Sequence, residues 1–305
     1  MRHFLSILDR TPAELNGLLD RADELASAWH AGVMPRSLEG RPVALWFYGQ
    51  GFRNRAAFEI GARAMGASVT QLPGELGVQE PLEDVGHYLD KWFDILVVRT
   101  RRHADLLVLA DSTDAAVVNA RTDRNHPCEI LGDLQYIRRR RGSLDGLDVV
   151  FLGEESNLCG SWFEAAARFP IRVTQIAPPE HLADGESLAA YREGAVGEIR
   201  IRESLDGCLE RTDLLYTDCW PHTDDPGEKA RIAARFLPYQ VTGAMLSRMR
   251  TDALFLPCPP VTRGQEVSAE AMRSPLCRNH EAKEYLLHAQ NAILEEVSGT
   301  RPRNG

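Results

Sequence analysis

Short apolar runs recur along this chain between longer stretches in which apolar residues return every three or four positions. Thr11-Pro12 opens the first long stretch, with Leu15, Leu18, Leu19, Ala22 and Leu25 on one face, which predicts an amphipathic helix to about Trp29. Pro42 to Tyr48 reads as a buried strand, Gly49 to Asn54 as a glycine-containing loop, and Ala56 to Met65 as a helix. Further strands are predicted at Ser68 to Leu72, Asp94 to Arg99 and Ala116 to Asn119, with a helix from Leu82 to Trp92 and another entered at His126-Pro127. After the polar, glycine-bearing stretch from Arg141 to Gly146 the pattern restarts. Leu147 to Gly153 is a strand, Cys159 to Phe169 a helix, and strands follow at Arg172 to Ile176, Glu198 to Arg202, Asp213 to Asp218 and Ala253 to Leu256. A last helix runs from Glu281 to Val297, its Tyr285, Leu286, Ala289, Ala292, Ile293 and Val297 spaced for packing. Strands separated by helices imply α/β architecture: two doubly wound parallel-sheet domains, 1–141 and 142–280, and a C-terminal helix over 281–297.

Composition narrows the function. A net charge of −9 argues against non-specific nucleic-acid binding, which needs a basic face, and no apolar run approaches the ~20 residues that span a bilayer. The N-terminal stretch is interrupted by charge too early for a secretory signal, so a cytoplasmic location is expected. Six cysteines without a C-x-x-C pair support neither a disulfide framework nor a structural zinc site, and no metal or organic cofactor is expected. No G-x-G-x-x-G follows Gly153, which argues against a dinucleotide. Arg138 to Arg141 crowd the end of one helix, where they complement its dipole in solvent, with an anion or subunit contact as the alternative.

In an open parallel sheet, ligands gather beyond the carboxyl ends of the strands. Arg53 and Arg55, then Arg99 and Thr100, then His126, Asn157, Asp218, Cys258 and Arg263 all follow predicted strands. Guanidinium forks match phosphate oxygens, so the cleft they would line seeks an anion. Arg53 and Arg55 precede a predicted helix, where the dipole disfavours cations, and a bound anion explains both. Asn157 and Asp218 are equally open to a plainer role as turn caps, and Cys258 to one as a small buried thiol.

His126-Pro127-Cys128-Glu129-Ile130-Leu131-Gly132-Asp133-Leu134 resembles the His-Pro-Cys-Gln-x-Leu-x-Asp-Leu motif of the aspartate and ornithine carbamoyltransferases, closer to the ornithine branch. The resemblance spans nearly the whole chain, to Leu287-His288-Ala289-Gln290. Gly51-Phe52-Arg53-Asn54-Arg55 matches the family's Ser-Thr-Arg-Thr-Arg phosphate loop, both arginines kept and all three hydroxyls lost. Thr217-Asp218-Cys219-Trp220 resembles Asp-x-Trp, and Pro257-Cys258-Pro259-Pro260-Val261-Thr262-Arg263-Gly264 resembles His-Cys-Leu-Pro-x-x-Arg-Gly.

The resemblance implies a carbamoyl-phosphate-binding domain completed by the C-terminal helix, an amino-acid-binding domain, and a homotrimer. It implies attack of an amine on carbamoyl phosphate with loss of phosphate. Arg53, Arg55, Arg99 and Arg263 would hold phosphate, with Gly51, Phe52 and Asn54 in the same loop. Arg99, Thr100 and His126 would meet the carbonyl oxygen, Glu129 the carbamoyl amide, and Asn157 and Asp218 the acceptor, with Cys258 beside them. Three departures shape the expectation: Glu129 in place of Gln, the lost hydroxyls, and Pro221-His222-Thr223-Asp224 where Ser-Met-Gly should follow. The acceptor expected is a small non-standard amino acid or diamine rather than ornithine. A transferase with an altered donor, such as an amidino group, and a non-catalytic anion-binding paralogue are the alternatives. Glu129 is read as either protonated or facing a cation.

Overall fold

The computed structural model describes residues 2–49 and 51–299. They form two compact units, one of the described residues up to Gly142 with those from Lys283 on, and the other of Ser143–Ala282.

In the first unit, α1 (Pro12–His30) starts at a reciprocal cap between Thr11 and Glu14 and buries the face predicted from its leucines. The succession β1 (Pro42–Phe47), α2 (Phe52–Ala64), β2 (Ser68–Leu72), α3 (Leu82–Leu89), β3 (Ile95–Arg99), α4 (His103–Asp111), β4 (Ala116–Arg121) and α5 (Pro127–Arg141) follows. Its four strands are all parallel, in the order β2-β1-β3-β4. The chain winds outward from β1 in one direction and from β3 in the other, so the order reverses between β1 and β3.

The second unit contains β5 (Asp148–Leu152), α6 (Asn157–Arg168), β6 (Arg172–Ile176), α7 (Gly185–Arg192), β7 (Glu198–Arg202), β8 (Leu214–Thr217), α8 (Pro226–Phe236), the single-turn α9 (Gly243–Leu246) and β9 (Leu254–Pro257). Its parallel sheet runs β7-β6-β5-β8-β9, with the reversal between β5 and β8. Finally α10 (Asn279–Ser298) leads back to the first unit. Both sheets carry buried aliphatic runs, as expected of parallel strands covered on two faces.

Several elements differ from the sequence expectation: α4, α7, α8 and α9 have no counterpart in it, and α6 starts two residues before Cys159. α2 begins at Phe52, four residues early, because Gly51 takes the N-cap position with φ +25°. Its inner face is Asn54, Phe58, Gly61 and Ala62, so a polar residue opens the helical period and hides it. α3 stops at Leu89, leaving Trp92 exposed. β4 runs two residues further, to Arg121. The arginine run at the end of α5 does more than complement a dipole: Arg138 reaches Asp20 at 2.8 Å and Asp23 at 2.7 Å, tying α5 to α1.

Two glycines set how α10 packs. A Cβ on Gly132 of α5 would lie 2.9 Å from the backbone of Leu286, and one on Gly61 of α2 would meet the Asn291 side chain at 1.9 Å. Only residues without a side chain allow α5 and α2 so close to α10. Leu286, Ala289, Ala292, Ile293, Leu294 and Val297 of α10 are buried.

Candidate active site

The reversal between β1 and β3 is where a doubly wound sheet opens a crevice for ligand. Phe47 and Arg99 are register partners at its edge. Past β1, Gly51 caps α2, and a Cβ there would lie 3.0 Å from Arg99 Cδ and Nε. The missing side chain thus makes room for the Arg99 guanidinium against the α2 N-terminus. Arg53 and Arg55 stand in the first turn of α2. Neither forms an ion pair with a carboxylate among the described residues, and the Arg53 guanidinium lies over the Phe52 ring, 4.5 Å from its centroid. Phe52 is 58% exposed. Thr100 is buried, its N–H donating to Arg121 O at 3.0 Å.

Asn54 faces the opposite way, into the protein. Its Nδ2 donates to Ala120 O at 2.8 Å and its Oδ1 accepts from Gln290 Nε2 at 2.8 Å. Those two bonds fix the amide and turn Nδ2 toward His126 Nε2 at 3.4 Å. A donor there favours the imidazole tautomer with its lone pair on Nε2 and its proton on Nδ1.

His126 is the N-cap residue of α5, with Pro127 at the first helical position. Burial pulls its pKa down to about 4, and the nearby Arg99, Arg121 and Lys283 charges act in the same sense against Glu129. The ring is neutral at physiological pH. Glu129, one turn along α5, is not protonated. Burial pushes its carboxyl up, but the Lys283 ammonium above all, with Arg99, outweighs this and holds it below the ordinary carboxylate range. Lys283 Nζ lies 2.6 Å from Glu129 Oε1 and 2.9 Å from Asp133 Oδ1. The cation that Glu129 requires is therefore supplied by the protein itself.

The second unit repeats the arrangement at its own reversal, where Leu152 and Thr217 are register partners. Ser156, not Asn157, caps α6, accepting from Cys159 N at 3.4 Å. Asn157 is the first helical residue and is buried. Asp218, just past β8, accepts from Cys219 N at 2.8 Å and from Ser156 Oγ at 3.1 Å. Burial and the Asp218 charge together push Glu154 up to about 7. Glu266, buried and accepting from Thr262 N, is raised by burial, with Asp218 acting in the same direction. The carboxyl edge of this sheet is acidic, suited to a cationic ligand. Cys258 follows β9, buried, its N–H donating to Thr217 O at 2.8 Å. Arg263 is exposed, in a turn where Gly264 at φ +91° donates to Val267 O at 2.9 Å.

Residues 2–139 match the family pattern described as aspartate/ornithine carbamoyltransferase, carbamoyl-P binding domain, and residues 145–297 match that of the Asp/Orn binding domain. The chain belongs to the aspartate/ornithine carbamoyltransferase family. Among curated members it is 34% identical to an ornithine carbamoyltransferase of Hydrogenovibrio crunogenus over 298 residues, 97% of each chain. It is 33% identical to the anabolic ornithine carbamoyltransferase of Pseudomonas aeruginosa, covering 97% of this chain and 96% of that one. The solved ornithine carbamoyltransferase of Pyrococcus furiosus superposes with a TM-score of 0.93 at 26% identity, covering 99% of this chain and 98% of that one. The fold is that of the ornithine carbamoyltransferases, and the chain is a carbamoyltransferase-family enzyme.

Two residues beside the candidate site escaped the sequence reading. Arg121 lay beyond the predicted end of β4, although a longer strand would have put it among the strand-end cations. Lys283 sits on a helix whose periodicity spoke only of packing. The described residues also bring His30, Glu284 and His288 together, with their ligand atoms within 4.8 Å of one another. His288 Nδ1 is buried without a hydrogen-bond partner, whereas a metal-bound imidazole donates its other N–H. This group fits an ion poorly. No helix among the described residues is long and apolar enough to cross a membrane.

Proposed function

We propose that this enzyme transfers a carbamoyl group from carbamoyl phosphate to the amino group of a small amino acid or diamine other than ornithine. The observation that carries the donor is the set of cations at the β1–β3 reversal: Arg53 and Arg55 without carboxylate partners among the described residues, and Arg99 packed on Gly51. In this reading the arginines hold phosphate. Arg99, Thr100 and the Nδ1–H of neutral His126 stabilise the oxyanion that forms as the amine adds to the carbamoyl carbon. The intermediate collapses with loss of phosphate, which accepts the amine's proton. An altered, amidino-type donor loses its motive, since Lys283 already matches Glu129.

The acceptor falls to the second unit, where Asn157 and Asp218 would bind its polar groups and the acidic edge with Glu154 and Glu266 would favour a second amine. The loop of Cys219 to Asp224 supports an acceptor other than ornithine. The names of the relatives favour ornithine itself, which is the second reading. Cys258 and Arg263 follow β9 and belong to the candidate machinery of transfer. A homotrimer goes with the reading and predicts a solution mass about three times 34.0 kDa by sedimentation.

The test is phosphate release from carbamoyl phosphate over ornithine, lysine, shorter diamino acids and simple diamines, with mass detection of the ureido product. Product with a diamine or shorter diamino acid and none with ornithine supports the first reading. Product with ornithine alone establishes the second, and no product with any acceptor sinks both.

A further inference from the structure

Lys283 reaches into the α5 cluster from α10, and no step above uses it. Its Nζ lies 2.6 Å from Glu129 Oε1 and 2.9 and 3.1 Å from the two Asp133 oxygens. The side chains of Lys283, Glu129 and Asp133 are 13%, 7% and 1% exposed. Removing any of these charges from water costs several kcal/mol unless it is paired, so the three are tolerable only as a unit.

The family motif has a neutral Gln at position 129 and Asp at 133, a single negative charge across the two. Glu129 alone would double it beside an anion site. Lys283 returns the cluster to a single negative charge. It also occupies Oε1, leaving Oε2 turned toward the His126 ring at 3.8 Å. One carboxylate oxygen is thus left beyond the Lys283 pair, as a glutamine has one acceptor oxygen. We propose that Lys283 is a positioning residue that compensates for Glu129, preserving the charge of the anion site and orienting Glu129 to accept from the carbamoyl NH₂. This rests on carbamoyl phosphate being the donor.

Calorimetric titration with phosphonoacetamide, a non-hydrolysable carbamoyl phosphate analogue, tests it on wild type, Lys283→Met, Glu129→Gln and Glu129→Gln/Lys283→Met, with melting temperatures measured in parallel. Lys283→Met is expected to weaken binding about tenfold or more by leaving an uncompensated carboxylate near the anion. The double variant is expected to recover most of that loss. A merely structural Lys283 would leave both variants equally impaired, because its bridge to Asp133 is absent from both, and that outcome overturns the proposal. So does folded Lys283→Met that binds within threefold of wild type. If Lys283→Met does not fold, Glu129→Gln decides with inorganic phosphate as the probe: excess cation should tighten binding, and unchanged affinity overturns the compensation. Failure of wild type to bind phosphonoacetamide at all would overturn the donor reading, and this inference with it.

Discussion

At the scale of single residues, burial decides the protonation of His126. An unfolded chain would bind a proton there near pH 6.5, while the folded chain does so only near 4. Between those values the unfolded state holds more protons. His126 thus contributes stability that is full above pH 6.5 and is lost as pH falls toward 4, on the order of 3 kcal/mol. His3 is pulled down to about 4 as well, so the wild-type curve sums both. Glu129 acts at lower pH: its depressed pKa gives stability that is full above its ordinary value of 4.5 and lost as pH falls through its folded value. Denaturant melts at pH 7 and pH 5 should show wild type losing more stability than His126→Gln over that interval. Equal losses would mean that the imidazole is not buried and neutral. Gly51 presents a steric counterpart. Its φ of +25° and its 3.0 Å approach to Arg99 leave no room for a Cβ. Gly51→Ala should fold, since the obstacle is a flexible side chain, yet displace Arg99 and raise the KM for carbamoyl phosphate several-fold. An unchanged KM would detach Arg99 from the donor site.

At the scale of elements, α10 is what joins the donor-side cluster, because its crossing with α5 brings Lys283 to Glu129 and its packing on α2 brings Gln290 to Asn54. The backbone of Leu286 lies where a Cβ of residue 132 would be, at 2.9 Å. Backbone cannot swing aside as a long side chain can. Gly132→Ala should therefore cost about 1–3 kcal/mol in chemical denaturation, and weaken phosphonoacetamide binding by separating the helices. Loss of stability with binding intact would show that the crossing supports the fold but not the site. Elements of this kind are only partly legible in sequence. The strands were readable because parallel sheets demand continuous apolar runs, and their carboxyl ends correctly marked Arg99, Asn157, Asp218 and Cys258 as strand-end residues. The start of α2 was not, since Asn54 heads its inner face. The exposed helix α8, Pro-Gly-Glu-Lys-Ala-Arg-Ile-Ala-Ala-Arg-Phe, buries only Phe236 and leaves almost no period to detect. The ionisation of Glu129 was undecidable from its own segment, because its partner lies 154 positions along the chain at Lys283.

At the scale of the whole molecule, the chain leaves its first unit at Gly142 and returns at Lys283, so one unit is discontinuous and the other is a single stretch. Ser143–Ala282 has a five-stranded sheet and a buried cluster around Leu152, Leu215, Phe255 and Val267, and should fold when expressed alone. Residues 1–142 should not. Without α10 they lose Leu286, Ala289, Ile293, Leu294 and Val297, and expose the grooves at Gly61 and Gly132. They also leave Glu129 and Asp133 as a close pair of carboxylates with no ammonium between them. Joining residue 142 to residue 283 through a flexible linker restores every one of these contacts without the second unit. The expected outcome is a cooperative melt for 143–282 and for the linked first unit, and none for 1–142. The linked unit should also bind inorganic phosphate, with Lys283→Met weakening it, because every cation assigned to the donor except Arg263 belongs to it. A cooperative melt from 1–142 alone would mean that α10 is an accessory rather than a part of the donor unit, and that the Lys283 bridge adds charge compensation to a fold already complete.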